Sequence, residues 1–233
     1  MLVLSAACLP WARRLGGLTA GGPGPPTFVL LHGYGSTPEE WKPFSTTIAL
    51  PWPGRFVFPR APETTVPPDG PIGGRAWWRL GLDEHIPQGS KLPDLSATQP
   101  PGIVRAATLV RATLGDQPRG PIVLGGFSQG AMVAAEIAFT SDEPMTALVL
   151  LSGTAVDEAK WRRGFARRRG LPVFMAHGRR DDILPFAIAD RLRRELTDAG
   201  LRVTWFPFDG GHEMPEPTVV ALNRFLHDVR LAP

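Results

Sequence analysis

The segment that most restricts the fold of this chain of 233 residues is Gly126-Phe127-Ser128-Gln129-Gly130, which follows directly on the apolar run Pro121-Ile122-Val123-Leu124-Gly125. The apolar run reads as a buried strand, and the Ala-rich stretch that begins at Ser128 reads as a helix. A chain that passes from strand to helix within so few residues has to turn sharply. Side chains two positions before and after the serine would be crowded in that turn, hence glycine at both. The serine hydroxyl is then lifted clear of the backbone at the end of a sheet, above a helix N-terminus.

The surrounding pattern fits such a sheet. Residues 27–31 form a continuous apolar and β-branched run, the mark of a parallel strand buried on both faces. A first strand is expected over 13–18, a helix over 38–50 and a further strand over 55–58. From residue 103 the chain alternates. Helices are expected at 103–114, 128–140, 157–169, 185–199 and 216–231, and strands at 122–124, 147–151, 173–176 and 203–206. This alternation predicts an α/β fold, with a mostly parallel central sheet covered by helices on both faces. The length suits one such unit, so residues 1–233 are expected to form a single domain. Within it lie an N-terminal strand and turn region, 1–26, and a long loop insertion, 59–102. Trp77, Trp78, Leu80, Leu82 and Ile86 give that insertion too much apolar surface for a disordered linker.

Composition excludes several classes of function. A formal net charge of +3 is too small to argue for nucleic acid as a partner. The single cysteine, Cys8, allows neither an internal disulfide nor a cysteine-based zinc site. No apolar run approaches the ~18 residues that a membrane span needs. The apolar stretch 1–9 has no basic residue ahead of it and makes a poor secretory signal. Ser5-Ala6-Ala7-Cys8 bears only a faint likeness to a lipoprotein cleavage site, so a cytoplasmic location is expected. There is no glycine-rich phosphate cradle and no metal-ligand cluster, and no cofactor is expected.

A serine hydroxyl is a weak nucleophile at neutral pH. It needs a base to accept its proton, and the base needs a carboxylate to orient it. In α/β-hydrolases these residues follow in the order Ser, then Asp or Glu, then His. Downstream of Ser128, the strand 173–176 runs into His177-Gly178-Arg179-Arg180-Asp181-Asp182, and the strand 203–206 runs into Asp209-Gly210-Gly211-His212. Both loops leave the carboxyl ends of strands, where open α/β sheets gather their functional groups. His212 is the candidate base. His85, in the long loop, and His227, within the last helix, are less well placed. Asp181 and Asp182 both qualify as the orienting carboxylate, and spacing alone does not separate them. The oxyanion of an acyl transfer needs two backbone donors. The candidates are Gln129 N–H, directly after the serine, and Tyr34 N–H, in the loop His32-Gly33-Tyr34-Gly35 after an early strand.

Leu31-His32-Gly33-Tyr34-Gly35, Pro59-Arg60-Ala61-Pro62, Trp77-Trp78, Gly126-Phe127-Ser128-Gln129-Gly130, Leu151-Ser152-Gly153, His177-Gly178-x-x-Asp181 and Gly211-His212 occur in this order. Together the set resembles the phospholipase/carboxylesterase family, which includes the acyl-protein thioesterases. The resemblance implies an α/β-hydrolase fold and a cofactor-free esterase acting on a small-molecule ester. It favours Asp181 over Asp182, and it implies Ser128 as nucleophile, His212 as base, and Tyr34 and Gln129 as oxyanion donors. The family's Asp shortly after the first His-Gly-x-Gly is replaced by Ser36. Its Trp-aromatic-Asp reads Trp77-Trp78-Arg79, and the stretch 83–99 is longer than usual. These departures surround the expected substrate pocket and leave the substrate open.

The expectation is therefore a serine carboxylesterase for small to medium esters, monomeric or homodimeric. An acyl thioesterase or lysophospholipase is the nearest alternative, and a non-catalytic binding or peripheral membrane protein the alternative from another class. Trp77, Trp78 and Leu80 are candidates either to line the substrate pocket or to anchor the loop in the core. The basic segment Lys160, Arg162, Arg163, Arg167, Arg168 and Arg169 is expected to be a solvated helix face, with contact to anionic headgroups as the alternative.

Overall fold

The structure, a computed structural model, describes residues 15–50, 53–65, 74–80, 92 and 94–229. Cys8, Leu82, His85, Ile86 and the stretch 83–91 lie outside these residues, as do the first two residues of the expected strand 13–18 and the last two of the expected helix 216–231.

The strands β1 (Gly17–Gly21), β2 (Thr27–Leu31), β3 (Arg55–Pro59), β6 (Ile122–Phe127), β7 (Ala147–Leu151), β8 (Pro172–Gly178) and β9 (Arg202–Phe208) form a seven-stranded sheet in the order β1-β3-β2-β6-β7-β8-β9. β1 runs antiparallel to β3, and every other neighbouring pair is parallel. β4 (Glu63–Thr64) and β5 (Arg75–Ala76) make a separate short antiparallel pair. Alternation along the strands sends side chains to opposite faces. Val29 and Leu31 join one core with Leu124, Leu148, Leu150, Val173 and Met175, under helices α3 (Ile103–Gly115), α4 (Gln129–Thr140), α5 (Glu158–Phe165) and α6 (Phe186–Asp198). Phe28 and Leu30 join the other with Val123, Val149 and Phe174, under Trp41 of α1 (Pro38–Trp41) and Leu222, Phe225 and Leu226 of α7 (Glu216–Asp228).

Three expectations change. The first strand lies at Gly17–Gly21 because it is defined by pairing with β3, from Gly17 opposite Pro59 to Gly21 opposite Arg55. Its residues alternate between exposed and half-buried, so no apolar run marks its start. The helix expected over 38–50 is two short ones, α1 and α2 (Phe44–Thr47), with Pro43 between them. Proline has no N–H for the carbonyl four residues back, and its ring crowds that carbonyl. The helix expected over 157–169 stops at Phe165 and tightens into a 3₁₀ turn, Ala166–Arg168.

That turn also changes the reading of the basic segment. Arg168 donates to the carbonyls of Ala138, Ser141 and Glu143 (2.7–2.9 Å), and Arg167 donates to that of Phe139 (2.8 Å). These side chains satisfy carbonyls at the C-terminal end of α4, where positive charge is also favourable. Lys160 pairs with the buried Glu136 at 2.5 Å, and Arg162 with Glu158 and Glu195. Four of the six basic residues are therefore engaged in linking α4, α5 and α6, while Arg162, Arg163, Arg167 and Arg169 are exposed, so the segment is a solvated face that also serves as a tether.

Candidate active site

β2 and β6 are neighbours at the centre of the sheet, while β3 follows β2 on one side and β7 follows β6 on the other. The chain reverses its direction of travel across the sheet here, which opens a crevice at the strand ends. The loop after β2 and the turn after β6 both face this crevice.

Ser128 stands in that turn with φ 54° and ψ −118°, a conformation L residues adopt only under constraint. The constraint is contact on both sides. A Cβ on Gly126 would fall 2.3 Å from the carbonyl carbon of Gly130, and one on Gly130 would fall 2.2 Å from the carbonyl oxygen of Leu31. Both distances are impossible for real atoms, so glycine at these positions is a packing requirement. Behind the turn, residues 129–139 of α4 are all buried.

His212 comes from the loop after β9. Its Nε2 lies 2.8 Å from Ser128 Oγ, and its Nδ1 lies 2.8 Å from Asp181 Oδ2. Phe127 packs against the imidazole, ring centroids 5.0 Å apart. Asp181 is buried in the loop after β8, whereas Asp182 is exposed. Of the two carboxylates that spacing leaves open, Asp181 is the one that points inward and meets His212. The two loops are brought together by continued pairing of β8 with β9, where His177 is opposite Pro207 and Gly178 opposite Phe208. A Cβ on Gly178 would lie 2.2 Å from Gly211 O, so the contact needs glycine.

Every acceptor face of Asp181 is used. Its Oδ1 accepts from the N–H groups of Ile183 (3.0 Å) and Leu184 (2.8 Å). Its Oδ2 meets His212 and lies 3.2 Å from His177 Nε2. Burial pushes this carboxyl upward, but His177, His212 and the Leu184 N–H outweigh that effect and hold it well below the usual carboxylate range. An ionised Asp181 requires a proton on His212 Nδ1. That leaves Nε2 as the acceptor for the Ser128 hydroxyl proton, the arrangement needed to generate an alkoxide-like nucleophile.

Gln129 is the first residue of α4, where backbone N–H groups have no partner inside the helix. The loop from β2 sits against the serine: a Cβ on Gly33 would be 3.5 Å from Ser128 Cβ and 3.1 Å from Phe127 Cδ1. Gly35 N–H donates to Arg75 O (2.9 Å) and Arg75 N–H to Ser36 O (3.0 Å), which fixes the course of the loop after Tyr34. The two backbone segments chosen from sequence as oxyanion donors therefore border the same serine.

Trp77 and Trp78 are placed differently from a pocket lining. They are 1% and 3% exposed and belong to the core, and Leu80 packs against it from the edge. Of the two alternatives, anchoring is what the buried rings do. Trp77 Nε1 donates to His32 O at 2.8 Å. The Gln129 side chain completes the attachment, accepting from Trp77 N–H (2.8 Å) and donating to Trp78 O (2.8 Å).

Sequence reasoning missed three contributors: the Gln129 side chain, His32 and His177. His32 is buried, places Nδ1 2.8 Å from Gly33 O and accepts from Ala61 N–H at 3.3 Å. Burial lowers its pKa to about 4, so it is neutral, with the proton on Nδ1. Both histidines precede a glycine at a strand end, a signal that could have drawn attention to them. Among the described residues no cluster of His, Cys, Asp or Glu could hold a metal ion, and no helix is long and apolar enough to cross a membrane.

Residues 19–230 match the phospholipase/carboxylesterase family. The chain belongs to that family. It is similar to acyl-protein thioesterase 1 of Schizosaccharomyces pombe, with 22% identity over 211 residues covering 87% of this chain and 90% of the relative. Acyl-protein thioesterase 1 of Aspergillus fumigatus is 27% identical over 220 residues, covering 87% of each. Among solved structures, esterase PE8 superposes with a TM-score of 0.77 at 26% identity, over 93% of this chain and all of that one (100%). Acyl-protein thioesterase 2 of Zea mays superposes with a TM-score of 0.69 at 22% identity, over 91% of this chain and 98% of that one, which shows the shared fold. The fold is that of the α/β-hydrolases, and this member of the phospholipase/carboxylesterase family is a hydrolase acting on esters.

Proposed function

We propose that the protein is a serine carboxylesterase that hydrolyses small to medium carboxylic esters through Ser128, His212 and Asp181. The observation that carries this reading is the position of His212, 2.8 Å from Ser128 Oγ on one side and 2.8 Å from Asp181 Oδ2 on the other. His212 Nε2 takes the hydroxyl proton as Ser128 Oγ attacks the ester carbonyl carbon. The carbonyl oxygen becomes an oxyanion, held by the N–H groups of Gln129 and Tyr34. His212 then returns the proton to the departing alkoxide, which leaves as the alcohol, and an acyl-Ser128 ester remains. Water, deprotonated by His212, attacks that ester, and the carboxylic acid and free Ser128 are released. Asp181 stays ionised throughout and stabilises the imidazolium.

A second reading, an acyl thioesterase, is supported by the similarity to acyl-protein thioesterases over most of the chain. The same residues would cleave a thioester by the same steps, with a thiol as leaving group. The test is a panel of nitrophenyl esters of increasing chain length, acyl thioesters and lysophospholipids, run on the wild type and on Ser128→Ala. Serine-dependent turnover of short esters is expected. Equal background rates for the two proteins would refute the hydrolytic role of Ser128, and a preference for thioesters would favour the second reading.

A further inference from the structure

His177 is a buried titratable group that the proposed steps do not use. It is the next-to-last residue of β8 and is 1% exposed. Its Nε2 lies 2.9 Å from Leu184 O and 3.2 Å from Asp181 Oδ2, the oxygen that meets His212 Nδ1 at 2.8 Å. A carbonyl oxygen only accepts, so Nε2 carries a proton. That N–H is aimed at Leu184 O while its positive end also lies beside the carboxylate. The loop 178–184 is thus closed at both ends by the same ring, since Leu184 N–H donates to Asp181 Oδ1 as Leu184 O engages His177. A loop that needed only to be held could use any apolar side chain beneath it. A histidine whose donor faces the oxygen serving another histidine is a more specific arrangement.

We propose that His177 is a positioning residue that divides the charge of Asp181 Oδ2 between two imidazoles, so that the carboxylate orients His212 without serving it alone. The inference rests on the proposed roles of Ser128, His212 and Asp181. A carboxylate that served His212 alone would stabilise its imidazolium more strongly. The N–H of His177 withdraws part of that charge. The other charged groups in these loops are Arg179, Arg180, Asp182, Asp209 and Glu213. Arg179 lies over the Phe186 ring that faces His177, with its Nε 3.8 Å from Asp209, and Arg180 donates to Asp209 O. Asp182 is exposed, and Glu213 Oε1 accepts from Gly211 N–H at 3.3 Å. His177, by contrast, reaches the Asp181 carboxylate directly, with Nε2 3.2 Å from Oδ2.

The test compares His177→Phe, which keeps a ring without the donor, with His177→Gln, whose amide can place an N–H near the same point. kcat/KM for a short nitrophenyl ester is measured from pH 5 to 9 on enzyme whose active fraction has been titrated with a serine-reactive phosphonate. His177→Phe is expected to move the acid limb upward by about half a pH unit or more, and His177→Gln to restore it. Loss of stability or of active fraction alone, with an unmoved acid limb in the remaining active enzyme, would overturn the proposal. If His177→Phe does not fold, an unmoved limb in His177→Leu or a limb displaced in His177→Gln as far as in the donor-free variant would do the same. Ser128→Ala is the separate control: activity that survives it refutes the assigned nucleophile, whatever the His177 variants do.

Discussion

His212 Nε2 lies 2.8 Å from Ser128 Oγ although 84 positions separate the two residues in the chain. The contact exists because β6 and β9 end on the same edge of the sheet and β8 carries Asp181 between them. If the three side chains act as one unit, their effects do not add. Ser128→Ala and His212→Ala should each lower kcat by at least roughly 10³-fold, and the double variant should be no slower than either alone. Steady-state rates on a nitrophenyl ester check this, and additive losses would show that the residues act independently.

Asp181→Asn should reduce kcat by about 10⁴-fold, because an amide can donate to His212 and stabilise the wrong tautomer. Asp182→Asn should stay within about twofold of wild type, since its side chain is exposed. The reverse result would move the orienting role to Asp182. This pair also shows what spacing alone left open. Both aspartates stand at a usable distance from β8, and only the packing of Asp181 Oδ1 under the N–H groups of Ile183 and Leu184 turns one of them inward.

Gly130→Ala should cost about 3 kcal/mol or more, because the added carbon meets the backbone carbonyl of Leu31 at 2.2 Å and neither strand nor helix can yield cheaply. Gly115→Ala is the matched control. It closes α3, meets nothing within 4 Å, and should be neutral or slightly stabilising. Urea denaturation midpoints for the two variants make the comparison.

Gln129→Ala should remove the partners of Trp77 N–H and Trp78 O, both in a buried setting. Roughly 1–3 kcal/mol is expected for each group left without a partner. Activity should fall as well, since the backbone of Gln129 is a proposed oxyanion donor and its side chain ties the loop to the turn. A variant with wild-type stability would show that the Trp77-Trp78 segment is held by its rings alone.

Acid should weaken the fold through His32. Its pKa is lowered by burial to about 4, from 6.5 for an exposed histidine. Between these values the unfolded chain takes up a proton that the folded chain refuses, so stability is present above pH 6.5 and is lost as pH falls toward 4. The loss from pH 7 to 4.5 is expected to be about 2–3 kcal/mol. Asp181 acts in the same sense at lower pH, mostly below 3.8, where more than half of the unfolded carboxyl is protonated while the folded one stays ionised. Urea midpoints at pH 7 and 4.5 should converge in His32→Asn, and an unchanged gap would exclude His32 as the cause.

The sequence by itself determined the alternation of buried strands and helices, the sharp turn at Ser128 and the identity of the candidate serine and histidine. These depend on local properties: apolar runs, glycine where a turn allows no Cβ, and residues placed just past strand ends. Tertiary structure decided what depends on partners far along the chain. It set β1 by its pairing with β3, selected Asp181 by burial, drew Trp77 and Trp78 into the core through Gln129 and His32, and committed Arg167 and Arg168 to the carbonyl end of α4. In each case the deciding atom is a backbone or side-chain group whose partner is chosen by packing; for Asp181 the His-Gly-x-x-Asp pattern pointed the same way, and for the others no local pattern records the choice.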